Sequence, residues 1–263
     1  MKNISSAIDE LVEAWQKAGV ENGDTLLLHS KTTYLLAKYR SKGIYLTPQH
    51  ILDSLMICIG SEGTLLLPLF NFDFPKKKFF DINSSQSQMG AITELARKSP
   101  NVVRTGHPIY SFAVLGKNSS LFSRVDNISG YGDDSPFGIL HRLQGKIASL
   151  DLDDQKSMTF YHYIEEMNQV EYRYFKNFTG TYIDSTGCQK IKTYKLFVRD
   201  IDKSVITHVN PAGELLWKNG FYKGNRPTQG FGLRTIKSTD MYNFVSELIK
   251  QGKALNNLYK IQD

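Results

Sequence analysis

Thr159, His162, Glu165 and Glu166 are residues whose types and spacing could do acid–base chemistry. With ~3.6 residues per helical turn, Thr159, His162 and one of the two glutamates share a helix face. An imidazole changes charge near neutral pH, and a carboxylate beside it orients the ring and raises its basicity. The chemistry on offer is removal of a proton from a nucleophile. The competing assignment is a half-buried helix histidine with two solvated glutamates. Spacing also leaves the carboxylate open: Glu165, Glu166, or one of Asp151, Asp153 and Asp154 in the acidic turn just before.

Positioning that face requires a helix over 157–167, with Ser157 or Thr159 supplying the N-cap oxygen. It would follow a strand, Lys146–Leu150, so that the histidine lies near a strand's carboxyl end, where open α/β sheets place their chemistry. Upstream, Ile8, Leu11, Val12, Trp15 and Ala18 recur at helical spacing over residues 5–19, and Gly19 stops that helix. Thr25–Ser30 reads as a buried central strand opening into a polar loop at His29–Thr33. Pro48–Ile59 is a second helix, and Thr64–Pro68 a second strand. The long aromatic and polar stretch Phe70–Ser87 reads as a loop of the kind that is often functional. A helix over Ala91–Lys98, a strand over Ser111–Gly116, a turn-rich Gly130–Pro136 and an apolar helix around Ile139–Leu143 follow. Thr181–Ile183, Lys192–Val198 and Val205–Thr207 suggest an antiparallel meander. Gly220–Gly232 reads as a basic loop and Thr239–Gln251 as the last helix. The predicted fold is a single α/β domain over 1–263, a mixed central sheet flanked by helices with an antiparallel C-terminal elaboration.

The chain of 263 residues is 41% hydrophobic and 12% aromatic, enough for a sizeable core and too apolar for a disordered chain. It has no apolar run near the ~20 residues that cross a bilayer. The opening Met1–Ser6 lacks a signal-peptide core. Cys58 and Cys188 imply neither a disulfide framework nor a cysteine zinc site, which makes cytoplasm the expected compartment. The net charge of +6 favours anionic small-molecule partners such as phosphates, nucleotides or coenzymes. The basic residues are scattered apart from Lys76-Lys77-Lys78, and no nucleic-acid motif accompanies them, so neither nucleic acid nor membrane is an expected partner.

Several stretches together resemble the antibiotic N-acetyltransferase family, named for aminoglycoside 3-N-acetyltransferases. They are Gly23-Asp24 with Leu28-His29-Ser30; Gly60 with Gly63-Thr64-Leu65 and Pro68; Met89-Gly90 with Glu94 and Arg97; and Arg104, Gly106-His107-Pro108, Ser111 and Gly116. Ser135-Pro136 with Leu140, Gly145-Lys146, and Thr159, His162 and Glu165 continue the series. The set runs in family order over roughly residues 7–170, while 171–263 match loosely and would shape acceptor choice. The resemblance implies acetyl transfer from acetyl-CoA to an amine on a sugar-like acceptor, in a ternary complex and without a metal. It implies His162 as base, with Thr159 before it and Glu165 after it. Ser30, Lys31 and Thr32 resemble the family's coenzyme-contacting loop, and Ser111 is similar to a position near the coenzyme. His107 would stand at the pocket wall, or stabilise a turn before Pro108. Asp73, Asn83 and Phe72, with Phe70 and Phe74, are the acceptor-binding candidates in the long loop, because sugar and base faces stack on aromatics.

Aminoglycosides carry several positive charges and call for an acidic pocket. The basic chain, with Lys76-Lys77-Lys78 in the loop expected over the pocket and Arg226 and Arg234 in a late loop, instead points to a nucleotide-linked amino sugar. A dTDP-amino-dideoxyhexose for surface polysaccharide is one such acceptor. The alternatives are an aminoglycoside 3-N-acetyltransferase and a non-catalytic module that binds CoA or a nucleotide. The oligomeric state is left open, a homodimer being one form.

Overall fold

Leucine-rich runs build the middle of the sheet, because a strand covered on both faces has no polar side to alternate with. A computed structural model describes residues 3–262; Met1, Lys2 and Asp263, and with them the start of the Met1–Ser6 reading, lie outside the described residues. The strands are β1 Thr25–Ser30, β2 Thr64–Pro68, β3 Phe79–Asp81, β4 Val103–Arg104, β5 Phe112–Gly116, β6 Lys146–Leu150, β7 Arg173–Ile183, β8 Gln189–Arg199, β9 Val205–Thr207, β10 Lys223–Gly224, β11 Leu233–Lys237 and β12 Tyr259–Ile261. The helices are α1 Ile4–Lys17, α2 Thr33–Arg40, α3 Pro48–Ile59, α4 Phe74–Lys77, α5 Ala91–Arg97, α6 Pro136–Arg142, α7 Asp154–Ser157, α8 Phe160–Met167, α9 Asn210–Lys218 and α10 Ser238–Lys250.

The main sheet runs β10-β11-β6-β1-β2-β5-β4. Its centre is parallel, β6 and β2 flanking β1, and its outer strands are antiparallel. Alternate residues feed two cores. Leu27, Leu66 and Ile147 face one core, under α6, α8, α9 and α10. Leu26, Leu28, Leu65, Leu67 and Ala148 face the other, against α1, α3 and α5. The fold is therefore α/β with a mixed central sheet flanked by helices. Because β1 leads on to β2 on one side while its parallel neighbour β6 leads towards β11 on the other, the connections diverge at the carboxyl ends of β1 and β6, where a crevice opens.

Several elements differ from the sequence reading. The polar residues after β1 enter α2 instead of a loop, since Thr33–Arg40 has no glycine or proline to stop it. Phe70–Ser87 is held by α4 and β3, the latter pairing with the far end of β7. The Gly220–Gly232 loop contains β10, and β11 directly after it was not predicted. With Arg234 inside it, β11 looks too polar for a buried strand. The meander is a long hairpin of β7 and β8, while β9 pairs with β12 at the chain's end. Residues 210–218 form a helix, α9, that the meander reading left out.

Arg234 is accommodated because its charge is matched. Its guanidinium is 1% exposed and lies 2.8 Å from Asp154, which also accepts bonds of 2.8 Å from Tyr161 and Tyr222. This one carboxylate joins β11, α7, α8 and the segment after α9. Removing it strands a buried guanidinium, and breaking such a pair costs about 3–5 kcal/mol. Asp154→Ala is expected to lower the unfolding free energy by that order, read as a lower urea midpoint.

Candidate active site

Phe160, Tyr161, Tyr163 and Ile164 bury one side of α8 and hold it against the core. His162 lies at the edge of that buried side, its side chain 21% exposed. The predicted helix over 157–167 starts later, at Phe160: Ser157 is the last residue of α7, and Met158 breaks the path with φ −81° and ψ 67°. Neither predicted cap forms. Thr159 makes no side-chain capping bond, and Ser157 Oγ instead donates to Asp153 O at 2.7 Å. The bond between Thr159 and His162 is a backbone one, His162 N–H to Thr159 O at 2.9 Å.

Of the five carboxylates the spacing left open, it is Glu165 that meets the imidazole, Oε2 lying 2.9 Å from Nδ1. Glu166 turns away to accept from Ser129 at 2.7 Å. Asp151 receives Gly232 N–H, Asp153 caps α7, and Asp154 is taken by Arg234. Glu165 is fully buried and has two further partners. Tyr172 OH donates to Oε1 at 3.0 Å, and Arg173 Nε lies 2.8 Å from Oε2. Arg173 Nη2 also reaches His162 Nδ1, at 2.9 Å. Sequence reasoning missed Tyr172 and Arg173. They sit ten and eleven residues beyond His162, past a turn at Gln169 with φ 47°, so no helical spacing links them to it.

Burial pushes His162 below its ordinary value, Arg173 adds to this, and Glu165 opposes it. Burial would push Glu165 up, but Arg173, His162 and Tyr172 together hold it below its ordinary value. The result is a neutral imidazole beside an ionised carboxylate.

A cavity of about 330 Å³ opens at His162, lined among others by Tyr110, Tyr131, Arg173, Lys176, Phe178 and Arg199. Arg173 and Arg199 are directly opposite in the β7–β8 register. No acidic side chain lines this cavity, and among the described residues no ion pair is made by Lys176 or Arg199. The charges expected there from the sequence are elsewhere. Lys76 and Lys77 are on α4, Lys78 follows it, Arg226 pairs with Glu214, and Arg234 is buried.

Other predicted residues do structural work. His107 is fully buried, and its Nδ1 accepts Ile109 N–H at 3.2 Å and Tyr110 N–H at 3.0 Å. Burial drives its pKa down to about 3. It reaches the cavity only by fixing Tyr110. Ser111 is also fully buried, donating to Leu69 O at 3.3 Å and approached by Arg104, so it presents nothing to a ligand. Asp73 pairs with Lys77, and Asn83 holds a turn through Asp81. Phe70 and Phe74 are core. Phe72 is 47% exposed, its ring edge-on to Tyr110 at 5.9 Å. None of Asp73, Asn83 and Phe72 lines the His162 cavity.

The crevice at the carboxyl ends of β1 and β6 is separate, a cavity of about 190 Å³ lined by Lys31, Tyr34, Asp151, Lys156 and Phe231 among others. Neither Ser30 nor Thr32 is in that lining. Tyr34 and Phe231 stack at 4.0 Å with Lys31 5.0 Å from the tyrosine ring. Thr32 makes no side-chain cap for α2. Asp151, in the left-handed region with φ 57°, accepts Gly232 N–H at 2.7 Å, and burial raises its pKa.

A buried His–Glu pair on a helix after a central strand, above a mixed sheet, defines a candidate acid–base site in an α/β protein. The sequence profile of the aminoglycoside 3-N-acetyltransferase family matches residues 40–250, and the chain belongs to that family. It is 26% identical over 174 residues to the SPbeta prophage-derived aminoglycoside N(3')-acetyltransferase-like protein YokD of Bacillus subtilis (strain 168), covering 57% of this chain and 62% of YokD. The curated relatives it matches are thus spanned over about three-fifths of their length. The fold is shared with aminoglycoside acetyltransferase AAC(3)-Xa, at TM-score 0.77 and 20% identity over 93% of this chain and 92% of that one. It is also shared with AAC-IIIb in a binary complex with CoASH, at TM-score 0.75 and 18% identity over 95% and 97%. Among the described residues no helix is long and apolar enough to cross a membrane.

These titrations set a pH dependence. His29 and His107, both held to about 3 by burial, stay neutral in the fold but protonate in the unfolded chain below 6.5. Stability is therefore expected to fall as pH drops from 6.5. Glu165 adds to this loss below its ordinary value of 4.5, since its depressed carboxyl stabilises only while ionised. Urea midpoints measured from pH 8 to 3.5 should show both, and in Glu165→Gln the descent below about 4.5 should be shallower.

Proposed function

We propose that this chain is an acetyl-CoA-dependent N-acetyltransferase acting on a primary amine of an amino-sugar acceptor, with His162 as base. The observation that carries this reading is the His162 Nδ1–Glu165 contact at 2.9 Å at the edge of an open cavity, in a chain of this family. In the tautomer with Nδ1–H on Glu165, the Nε2 lone pair is left to face a nucleophile. The amine nitrogen attacks the thioester carbon, the C–N bond forms, and the carbonyl electrons move onto oxygen. Nε2 takes the proton from the attacking nitrogen. Collapse of the adduct then breaks the C–S bond, and the departing thiolate receives the proton back. Ordered positioning of both substrates is needed for this in-line exchange.

For the coenzyme, the reading places phosphates against Lys31 and Lys156 in the crevice after β1 and β6, with the Tyr34–Phe231 stack beside them. Lysine ammonium groups and an aromatic face suit a nucleotide diphosphate. Asp151 and Asp153 in the same lining temper that charge. Residues Ser30 and Thr32 stay candidates for the pantetheine end, whereas buried Ser111 does not.

The relatives' names make an aminoglycoside the acceptor to test first, which favours the resistance-type reading over the nucleotide sugar suggested by composition. One observation favours the second reading: Arg173, Lys176 and Arg199 line the His162 cavity with no acid among them. A polycation is repelled there, and an amino sugar carrying a phosphate or nucleotide is attracted.

Free-thiol release from acetyl-CoA, measured against aminoglycosides and against dTDP- or UDP-linked amino sugars, tests both. His162→Ala is expected to lower turnover about 10²–10⁴-fold, the usual worth of a positioned base. Absence of thiol release with every amine would overturn the reading. Phe231→Ala is expected to raise the KM for acetyl-CoA several-fold while leaving kcat nearly unchanged, because it lies away from the base.

A further inference from the structure

His162 Nδ1 faces two groups of opposite demand. Glu165 Oε2, 2.9 Å away, can only accept a proton, and Arg173 Nη2, also 2.9 Å away, can only donate one. A ring nitrogen offers one in-plane position, either an N–H or a lone pair. With Nδ1–H pointing at Glu165, the Nη2–H of Arg173 meets an N–H. With the Nδ1 lone pair accepting from Arg173, the ring proton moves to Nε2 and the bond to Glu165 is lost. Doubly protonated imidazolium can satisfy Glu165 but faces the guanidinium in every orientation.

Arg173 is built into this place. It is 8% exposed, begins β7, and is tied by Nη1 to Phe197 O at 3.0 Å. Its Nε lies 2.8 Å from Glu165, yet that N–H is not aimed at any acceptor, so the arginine is not spent on the carboxylate alone. Tyr131, on the segment before α6, sits with its ring 5.2 Å from the imidazole. Arg199 on β8 adds positive charge, Thr207 on β9 is 3.4 Å from Arg173 Nη2, and Tyr172 binds the far oxygen of Glu165. Glu165 is the carboxylate in contact with the ring, against two arginines.

We propose that Arg173 is a positioning residue that competes with Glu165 for Nδ1, disfavouring the imidazolium and dividing the neutral ring between its two tautomers. Its catalytic consequence rests on the acetyl-transfer reading. A weakly basic imidazole does not strip a ground-state ammonium. It takes a proton from the far more acidic nitrogen of the tetrahedral adduct, and gives it up readily to the leaving thiolate. The amine must then arrive uncharged, which makes the acceptor's own titration part of the pH profile.

The test is a pH titration of ¹⁵N-histidine-labelled protein by long-range ¹H–¹⁵N NMR, with His162 assigned by loss of its signals in His162→Gln. Wild-type His162 is expected to titrate below 6.5 with ring shifts averaged between tautomers. Arg173→Met should raise its pKa by about one to three units, the usual effect of a charge at this range, and move the shifts towards the Nδ1–H form. Arg173→Gln, which keeps a polar end towards Phe197 O, serves if the methionine variant does not fold, with the same expectation. An unchanged His162 titration in a folded variant overturns the proposal. A shifted titration with no thiol release on any amine leaves it standing and overturns the acetyl-transfer reading instead.

Discussion

The Glu165 carboxylate is the constraint from which the rest of the site follows. A carboxylate with no solvent exposure is untenable unless charges and donors surround it, because water's solvation has been removed. Here His162, Tyr172 and Arg173 do this, and each comes from a different part of the turn from helix to hairpin. The helix α8 must end where it does, the chain must reverse through Gln169, and β7 must start at Arg173. The second buried anion, Asp154, solves the same problem with Arg234 and two tyrosines a few residues upstream. Between them the two carboxylates fix both ends of the segment that carries His162.

How much of this was legible in the sequence depended on the range of the interaction. Pro48–Ile59, Thr64–Pro68 and Lys146–Leu150 were read to the residue, because burial on one or both faces writes itself into local periodicity. Glu165 was among the partners named for His162 because i,i+3 spacing is a local signal. Arg173 was invisible for the opposite reason, since its contact with His162 depends on a reversal that no periodicity records. The same holds for β11. A strand containing Arg234 reads as polar, and only the distant Asp154 makes it a buried one. His107 and Ser111 are fully buried in this structure, and full burial cannot be seen in residue type. A histidine that accepts two backbone N–H groups looks in sequence like one that awaits a substrate.

Charge was read correctly in sum and wrongly in place. The net excess of basic residues did reach the cavity beside His162, but through Arg173, Lys176 and Arg199 of the hairpin, not through Lys76-Lys77-Lys78 or Arg226. Cavity electrostatics depends on the few side chains that cross-strand register aims inward, and a chain total does not report them. The opposition of Arg173 and Arg199 across β7 and β8 is unfavourable by itself, and Glu165 offsets only one of them. The family relationship and this positive lining pull the choice of acceptor in different directions, and the tension is confined to one wall of one cavity.

That wall is the hairpin. β7 and β8 pair along eleven residues each, outside the main sheet, with Arg173 at the end nearest α8. The hairpin residues that line the His162 cavity, Arg173, Lys176, Phe178 and Arg199 among them, belong to that same end, while β3 pairs with the far end of β7. One stretch of strand thus both walls the cavity and holds the Arg173 guanidinium 2.9 Å from the imidazole, so the groups that would meet a ligand there and the group that meets the ring share one backbone.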